Sequence, residues 1–225
     1  MLDAVIFDFD GIIVDTEPLH YRTFQNILDP LGLGYSWEEY CEVYMGFDDR
    51  DGFREAFRRG GRTLSEGELE EVIAAKAAAF QATVSAGVEA YPGVRELVLS
   101  LSGKVPLALC SGALPSDIHP ILQGLGLADS FDVVVTAADV EASKPDPASY
   151  LLAVGRLQER FPVARLRPAH IVAIEDTPAG ITSALGAGLR VLAVTNSYPA
   201  PRLSEATRTV SSLAGITREE LATLV

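Results

Sequence analysis

Cysteine is scarce: Cys41 and Cys110 are the only two in 225 residues. Two distant cysteines cannot build a disulfide framework, and their spacing is wrong for a zinc site. Cys110 ends an apolar run and reads as a small buried residue. Basic side chains are also few, 18 against 31 acidic ones, for a formal net charge of −13. A surface this acidic repels phosphate backbones and anionic lipid, so neither nucleic acid nor membrane is expected as a partner. It repels a phosphorylated metabolite at long range as well. Any anion site must therefore supply its own positive charge, from a metal, a lysine or backbone N–H groups. No stretch is long and apolar enough to span a bilayer. Asp3 interrupts the start, so no basic-then-apolar segment suggests export. Internal repeats and low-complexity tracts are missing too. The expectation is a cytoplasmic monomer.

What is present is an ordinary globular composition. At 48% hydrophobic and 22% charged residues, the chain can bury one sizeable core and a smaller accessory one. Five short apolar runs cover residues 4–7, 105–110, 131–135, 170–174 and 190–194. They are unbroken rather than alternating, which suits strands buried on both faces of a parallel sheet. Helical spacing fills 118–125, 147–157 and 178–187 between the last four. Strand alternating with helix implies right-handed crossovers and an α/β fold with a doubly wound, Rossmann-like parallel sheet. Gly126 and Gly188 are placed to close two of the helices in left-handed conformation.

The first connection differs. From Thr16 to about Gly87 no strand-like run occurs, and Ser36 with Glu39 and Ser65 with Glu68 fit the capping box, as Thr217 with Glu220 does near the C-terminus. A connection of this length needs its own packing. The reading is an inserted helical cap domain at residues 16–87, with the α/β core domain formed by 1–15 and 88–225. A further core helix is expected over 93–101.

Polar residues recur at the ends of the apolar runs. Asp8 and Asp10 follow the first, Ser111 and Gly112 the second, Lys144 lies beyond the third, and Glu175 and Asp176 follow the fourth. In a parallel sheet all strand C-termini share one edge, where ligands of such folds bind. Converging carboxylates repel one another, and a hard cation such as Mg²⁺ relieves that repulsion. Lys144 and the Ser111 hydroxyl add groups suited to phosphate oxygens. Each cluster alone has a plainer explanation: an acidic turn, a Ser-Gly turn, a solvated lysine, a helix-capping acidic pair. A calcium loop does not fit, because Ile12, Ile13 and Val14 occupy positions that need polar ligands. The plainer explanations leave unexplained why all four clusters fall at one end of successive strands.

Taken together, Phe7-Asp8-Phe9-Asp10-Gly11, Asp15-Thr16-Glu17-Pro18-Leu19-His20, Tyr91-Pro92-Gly93, Ser111-Gly112, Ser143-Lys144-Pro145-Asp146-Pro147 and Glu175-Asp176-Thr177-Pro178-Ala179-Gly180 resemble the haloacid dehalogenase-like hydrolase superfamily. The branch is that of beta-phosphoglucomutase-like phosphatases with a helical cap, and the resemblance runs over nearly the whole chain. It implies a Mg²⁺-dependent phosphatase acting on a small phosphorylated metabolite, a sugar phosphate being one such. Asp8 would be the nucleophile that forms an aspartyl-phosphate, and Asp10 the general acid and base. Ser111, Gly112 and Lys144 would bind the phosphoryl group. Asp8, Asp10 through its backbone carbonyl, and Asp176 would hold Mg²⁺, with Glu175 ligating or supporting. Dehalogenases and phosphonatases of the superfamily lack the second aspartate, so Asp10 argues for phosphate esters.

For the cap the resemblance implies substrate contacts at His20, Gly46, Arg50 and Lys76. A histidine packed in the hinge, a solvated arginine and a snorkelling lysine are the alternatives for the three side chains. The mutases of this branch carry a phosphate-gripping arginine three residues after the loop glycine. Here that position is Asp49, which speaks against a phosphomutase, the second hypothesis; a non-catalytic metabolite sensor is the third. The connections near residues 15–17 and 87–91 are expected to hinge the cap. Segment 156–167 is longer than its counterpart in the family and has no assigned role.

Overall fold

The computed structural model describes residues 1–45, 47–84 and 88–225. Gly46 and the expected boundary at residue 87 therefore lie outside the described residues. Six strands, β1 (Ala4–Phe7), β2 (Leu107–Cys110), β3 (Val133–Val135), β4 (Ile171–Glu175), β5 (Arg190–Val194) and β6 (Arg208–Val210), form one sheet in the order β3-β2-β1-β4-β5-β6. Every pair is parallel, with β1 in the middle: Val5 lies opposite Leu107 of β2 and Val172 of β4.

Alternation along β1 shows why the sheet needs helices on both faces. Val5 and Phe7 join α5 (Val94–Leu101) and α6 (Pro115–Gly124) in one apolar cluster. Ala4 and Ile6 point the other way, into a cluster with α7 (Ala148–Arg160) and α8 (Pro178–Gly186). Successive side chains of a strand face opposite sides, so an unbroken apolar run is stable only when both sides are covered. The five expected strands are present, shifted by up to two residues at their starts. Only β6 was unforeseen. It is a short edge strand, Arg-Thr-Val, whose residues are exposed or half-buried, so it carries no apolar signature.

Helix ends follow local chemistry. α6 starts at Pro115, earlier than its apolar spacing indicates, because proline is well tolerated in a first turn. α7 runs to Arg160, past the expected end at 157. Gly126 and Gly188 adopt left-handed φ values of +67° and +80° just beyond α6 and α8. Segment 156–167 acquires a structural account: Arg156 bonds the Val134 carbonyl and Asp139, and Arg167 forks onto both carboxylate oxygens of Asp3. It staples the edge near β3 and the start of β1.

Between β1 and α5 come α1 (Glu17–Leu28), α2 (Trp37–Glu39) running into a π-helical turn at Tyr40–Tyr44, α3 (Asp49–Arg59) and α4 (Glu66–Val84). These elements bury a core of their own, including Phe24, Leu28, Tyr35, Tyr40, Phe53, Phe57 and Leu69. The Ser65–Glu68 and Thr217–Glu220 boxes close reciprocally. Ser36 accepts from the Glu39 N–H, but the Glu39 carboxylate goes to Arg59 instead, so that box is half made. Where the inserted helices join the sheet, Val14 and Ala90 form an antiparallel bridge and Tyr91 N–H donates to the Ile13 carbonyl at 3.0 Å. The outgoing and returning chains thus lie side by side. Among the described residues no helix is long and apolar enough to cross a membrane.

The separate core is testable. Phe53 is fully buried among the inserted helices, and Phe53→Ala should cost about 3–5 kcal/mol there. Hydrogen exchange should show protection lost in α1, α3 and α4 while β1, β2 and β4 keep theirs. A uniform loss across the sheet would mean that the two cores melt as one.

Candidate active site

The strand order reverses direction at β1: β2 and β3 lie to one side, β4 to β6 to the other. Beyond the carboxyl ends of β1 and β4 the chains diverge, leaving the crevice where such sheets bind ligands. Asp8 leaves β1 into this crevice, its N–H held by the Ile174 carbonyl at 3.0 Å. The following turn spends its hydrogen bonds on the carbonyls of Phe9 and Val14. It packs Ile12, Ile13 and Val14 fully into the core, so those side chains are anchors of the turn.

Lys144 reaches the same point from the loop after β3. Its Nζ donates to Asp8 Oδ1 at 2.7 Å, to Glu175 Oε1 at 2.7 Å and to the Cys110 carbonyl at 3.1 Å. Tyr150 of α7 donates to the same Glu175 oxygen at 2.6 Å, and its ring lies 5.1 Å beneath the ammonium. Burial acts to lower the Lys144 pKa, but Asp8 and Glu175 outweigh it and hold it well above the usual lysine range. Burial pushes the Asp8 carboxyl up to about 8; Lys144 opposes the rise, while Glu175 and Asp10 add to it. Asp176 is also raised, chiefly by burial and then by Asp8 and Glu175.

Asp8, Glu175 and Asp176 each place a carboxylate oxygen within 4.8 Å of the others. Ser197 donates to Asp176 Oδ2, whereas Asp176 Oδ1 is buried with no partner among the described residues. An orphaned buried carboxylate oxygen is costly unless something positive meets it. Three buried carboxylates against one ammonium leave a deficit that a hard, oxygen-loving divalent cation fits. The turn is cut to the same site: a Cβ at Gly11, where φ is +79°, would lie 1.9 Å from Asp176 Oδ2.

The Asp10 carboxylate is served from the inserted helices. It accepts from Thr16 Oγ1, and His20 Nε2 lies 3.3 Å away. Lys76 Nζ sits 2.8 Å from His20 Nδ1. An ammonium can only donate, so Nδ1 must accept, which leaves the His20 proton on Nε2 facing Asp10. Burial acts to raise Asp10, yet His20, Thr16 and Lys76 together hold it below the usual carboxylate range.

The structure brings most of the expected residues together. Asp8, Asp10, His20, Gly112 and Lys144 line one cleft of about 70 Å³. Ser111 sits beside it in an adjoining pocket with Lys144; its Oγ accepts from Ala113 N–H at 2.9 Å, so its own proton is free to be given. Two expected substrate contacts are placed elsewhere. Lys76 is buried behind His20, paired with Asp49 and packed over Phe24, because an apolar helix face admits an ammonium only with a counter-charge. Arg50 turns from the cleft to the carbonyls of Ala137 and Val140, at 3.1 and 3.4 Å, outside the cleft lining.

Other participants were not anticipated. Asn196 donates to the Gly11 carbonyl at 2.7 Å, next to Ser197 on Asp176. Both follow β5, so the strand-end rule that found the other clusters would have reached them. Glu17 and Tyr40 line the cleft, joined by a 2.5 Å hydrogen bond from the tyrosine. Tyr150 carries no sequence signal, since a tyrosine on an apolar helix face reads as core.

Comparison with known proteins supplies independent information. The family profile described as haloacid dehalogenase-like hydrolase matches residues 5–194. A phosphorylated carbohydrates phosphatase of Thermotoga maritima is 31% identical over 201 residues, covering 87% of each chain. A beta-phosphoglucomutase of Bacillus subtilis is 27% identical, covering 88% of this chain and 85% of its own. Among solved structures, CbbY from Rhodobacter sphaeroides in complex with xylulose-(1,5)bisphosphate superposes with a TM-score of 0.87 at 25% identity, covering 98% of this chain and 99% of that one.

The fit of a cation to the three carboxylates can be checked without turnover. Gly11→Ala forces a methyl group against Asp176, so Mg²⁺ affinity measured by calorimetry should fall about 10–100-fold, the usual effect of disturbing the shell around a metal ligand. An unchanged affinity would place the metal elsewhere.

Proposed function

The chain belongs to the haloacid dehalogenase-like hydrolase family, and on that premise we propose that it is a Mg²⁺-dependent phosphatase that hydrolyses a small sugar phosphate through an aspartyl-phosphate. It is a phosphoric monoester hydrolase, as its named phosphatase relatives are. One observation carries the finer reading: Lys144 bonds Asp8 and Glu175 at once, and both carboxylates cluster with Asp176, one oxygen of which has no partner among the described residues. Nucleophile, counter-charge and cation site meet at one point.

Asp8 Oδ attacks phosphorus, the bond to the leaving oxygen breaks, and Asp10 gives that oxygen a proton. Asp10 starts as a carboxylate held by His20 and Thr16. A phosphate dianion arriving beside it raises its proton affinity by like-charge repulsion, so Asp10 takes a proton from solvent and is loaded as an acid; the proton it later takes from the attacking water returns to solvent or serves the next turnover. With the alcohol gone, Asp10 takes a proton from water, and the water oxygen attacks phosphorus to release Asp8. Lys144, the Ser111 hydroxyl and the N–H groups around Gly112 carry the charge on the phosphoryl oxygens. Asp8, Asp176 and the Asp10 carbonyl, which the turn leaves out of its own hydrogen bonds, would hold Mg²⁺. Bound there, the ion supplies the positive charge that lets a carboxylate approach a phosphate dianion. Glu175 has one oxygen taken by Lys144 and Tyr150, so its main work is to hold the lysine.

Residues 16–87 act as a cap over the core formed by 1–15 and 88–225. Closure keeps His20 on Asp10, where it lies here at 3.3 Å, and excludes bulk water during attack. The paired connections at Val14 and Ala90 are the natural hinge. A phosphomutase reading draws support from the beta-phosphoglucomutase relative; Asp49, at the position where the mutases of this branch carry a phosphate-gripping arginine, speaks against it.

Phosphate release from an aryl phosphate and from a sugar-phosphate panel should require Mg²⁺ and stop on chelation. Asp8→Asn should lower kcat by about 10⁴-fold or more, the scale seen when a nucleophile is removed. If nothing in the panel turns over, and Asp8→Asn matches the wild type, the phosphatase reading fails.

A further inference from the structure

Asp8, Glu175 and Asp176 meet at the crevice, but few of their carboxylate oxygens are left for a cation. Glu175 is fully used. Its Oε1 accepts from Lys144 and Tyr150, and its Oε2 from the Asp176 N–H at 3.3 Å and the Thr177 hydroxyl at 3.4 Å. Asp8 commits Oδ1 to Lys144 at 2.7 Å, and its Oδ2 has no hydrogen bond among the described residues. Asp176 commits Oδ2 to the Ser197 hydroxyl, while its Oδ1 is the buried orphan. One oxygen of Asp8 and one of Asp176 remain.

Ser197 is the donor in this set with no second task. Lys144 also serves the phosphoryl group, and Thr177 also caps α8, whereas the Ser197 side chain makes no other hydrogen bond among the described residues. Its loop is fixed at two points: Thr195 N–H donates to the Val210 carbonyl at 3.0 Å, and Asn196 to the Gly11 carbonyl at 2.7 Å. Gly11 packs against the same oxygen. A Cβ there would lie 1.9 Å from Asp176 Oδ2 and 2.9 Å from Ser197 Oγ. Oδ2 is thus hemmed by the hydroxyl and the glycine, and Oδ1 is the oxygen left without a neighbour to satisfy it.

Hard cations differ in what they ask of a carboxylate. Mg²⁺ demands a near-ideal octahedron, keeps several waters and takes one or two carboxylates. The two oxygens of one carboxylate sit too close together to fill neighbouring corners of that octahedron. Ca²⁺ accepts about six to eight oxygens in flexible geometry and readily takes both from one carboxylate. We propose that Ser197 is a positioning residue that restricts Asp176 to coordination through Oδ1, and so tilts this centre toward Mg²⁺ and away from Ca²⁺. The hydroxyl acts through Asp176 and touches neither metal nor substrate. The inference rests on the Mg²⁺-dependent reading of the site and adds what sets its choice of metal.

Calorimetry of the whole protein, titrated separately with Mg²⁺ and Ca²⁺, reads the ratio of the two dissociation constants without turnover. Ser197→Ala frees Oδ2 and should move that ratio toward Ca²⁺ by at least about tenfold, the scale on which groups behind a metal ligand act. Ser197→Thr keeps the hydroxyl and should hold the wild-type ratio. Ser197→Cys, a weak donor, should fall between them. Asn196→Ala controls for loosening of the turn, which should weaken both ions together at an unchanged ratio. A ratio that stays put in Ser197→Ala and Ser197→Cys, or that Ser197→Thr or Asn196→Ala shifts just as far, overturns this inference alone. A wild type that binds neither ion overturns the Mg²⁺ reading on which it stands.

Discussion

A single buried ammonium organises the catalytic end of this molecule. Lys144 sits among Asp8, Glu175 and the Cys110 carbonyl, drawing together the ends of β1, β2 and β4. Without it, adjacent buried carboxylates would repel one another or take up protons. With it they stay close, yet with Asp176 the cluster is still two positive charges short. That deficit is what suits the crevice to a divalent cation and, in the proposed reaction, to phosphate. Tyr150 donates to the Glu175 oxygen that Lys144 also uses, holding that carboxylate in place.

A second buried lysine performs a different task in the inserted helices. Lys76 divides its contacts between Asp49 and His20. Toward His20 it selects the tautomer that faces Asp10; toward Asp49 it is neutralised. The imidazole facing Asp10 and the cleft wall at Asp49 thus share one charged group. Three elements of the insertion, α1, α3 and α4, must be packed together before that arrangement exists.

Much of the sheet was legible because its strands are buried on both faces and so lack polar interruptions. β6 was not, since an edge strand with exposed side chains leaves no such trace. The core of the site was legible for a related reason: parallel strands deliver whatever follows them to one edge, so position along the chain translates into position in space. Asn196 and Ser197, just past β5, obey the same rule. Arg50 and Lys76 lie beyond its reach. Where a long side chain on a helix ends up depends on which carbonyls and carboxylates the neighbouring elements present, and those are tertiary facts. The resemblance of motifs placed both residues at the substrate, whereas packing directs one to a core loop and the other beneath a histidine.

The bridge between Val14 and Ala90 bears on how such a molecule can change over generations. Because the chain leaves and rejoins the sheet through neighbouring strands, everything between can lengthen, shrink or be exchanged without disturbing the register of β1 with β2 and β4. The fold is in effect a chassis with one socket. Selection can rework the wall that greets an alcohol or a sugar while the residues that handle phosphorus stay as they are. A lineage built this way acquires new diets without relearning its chemistry.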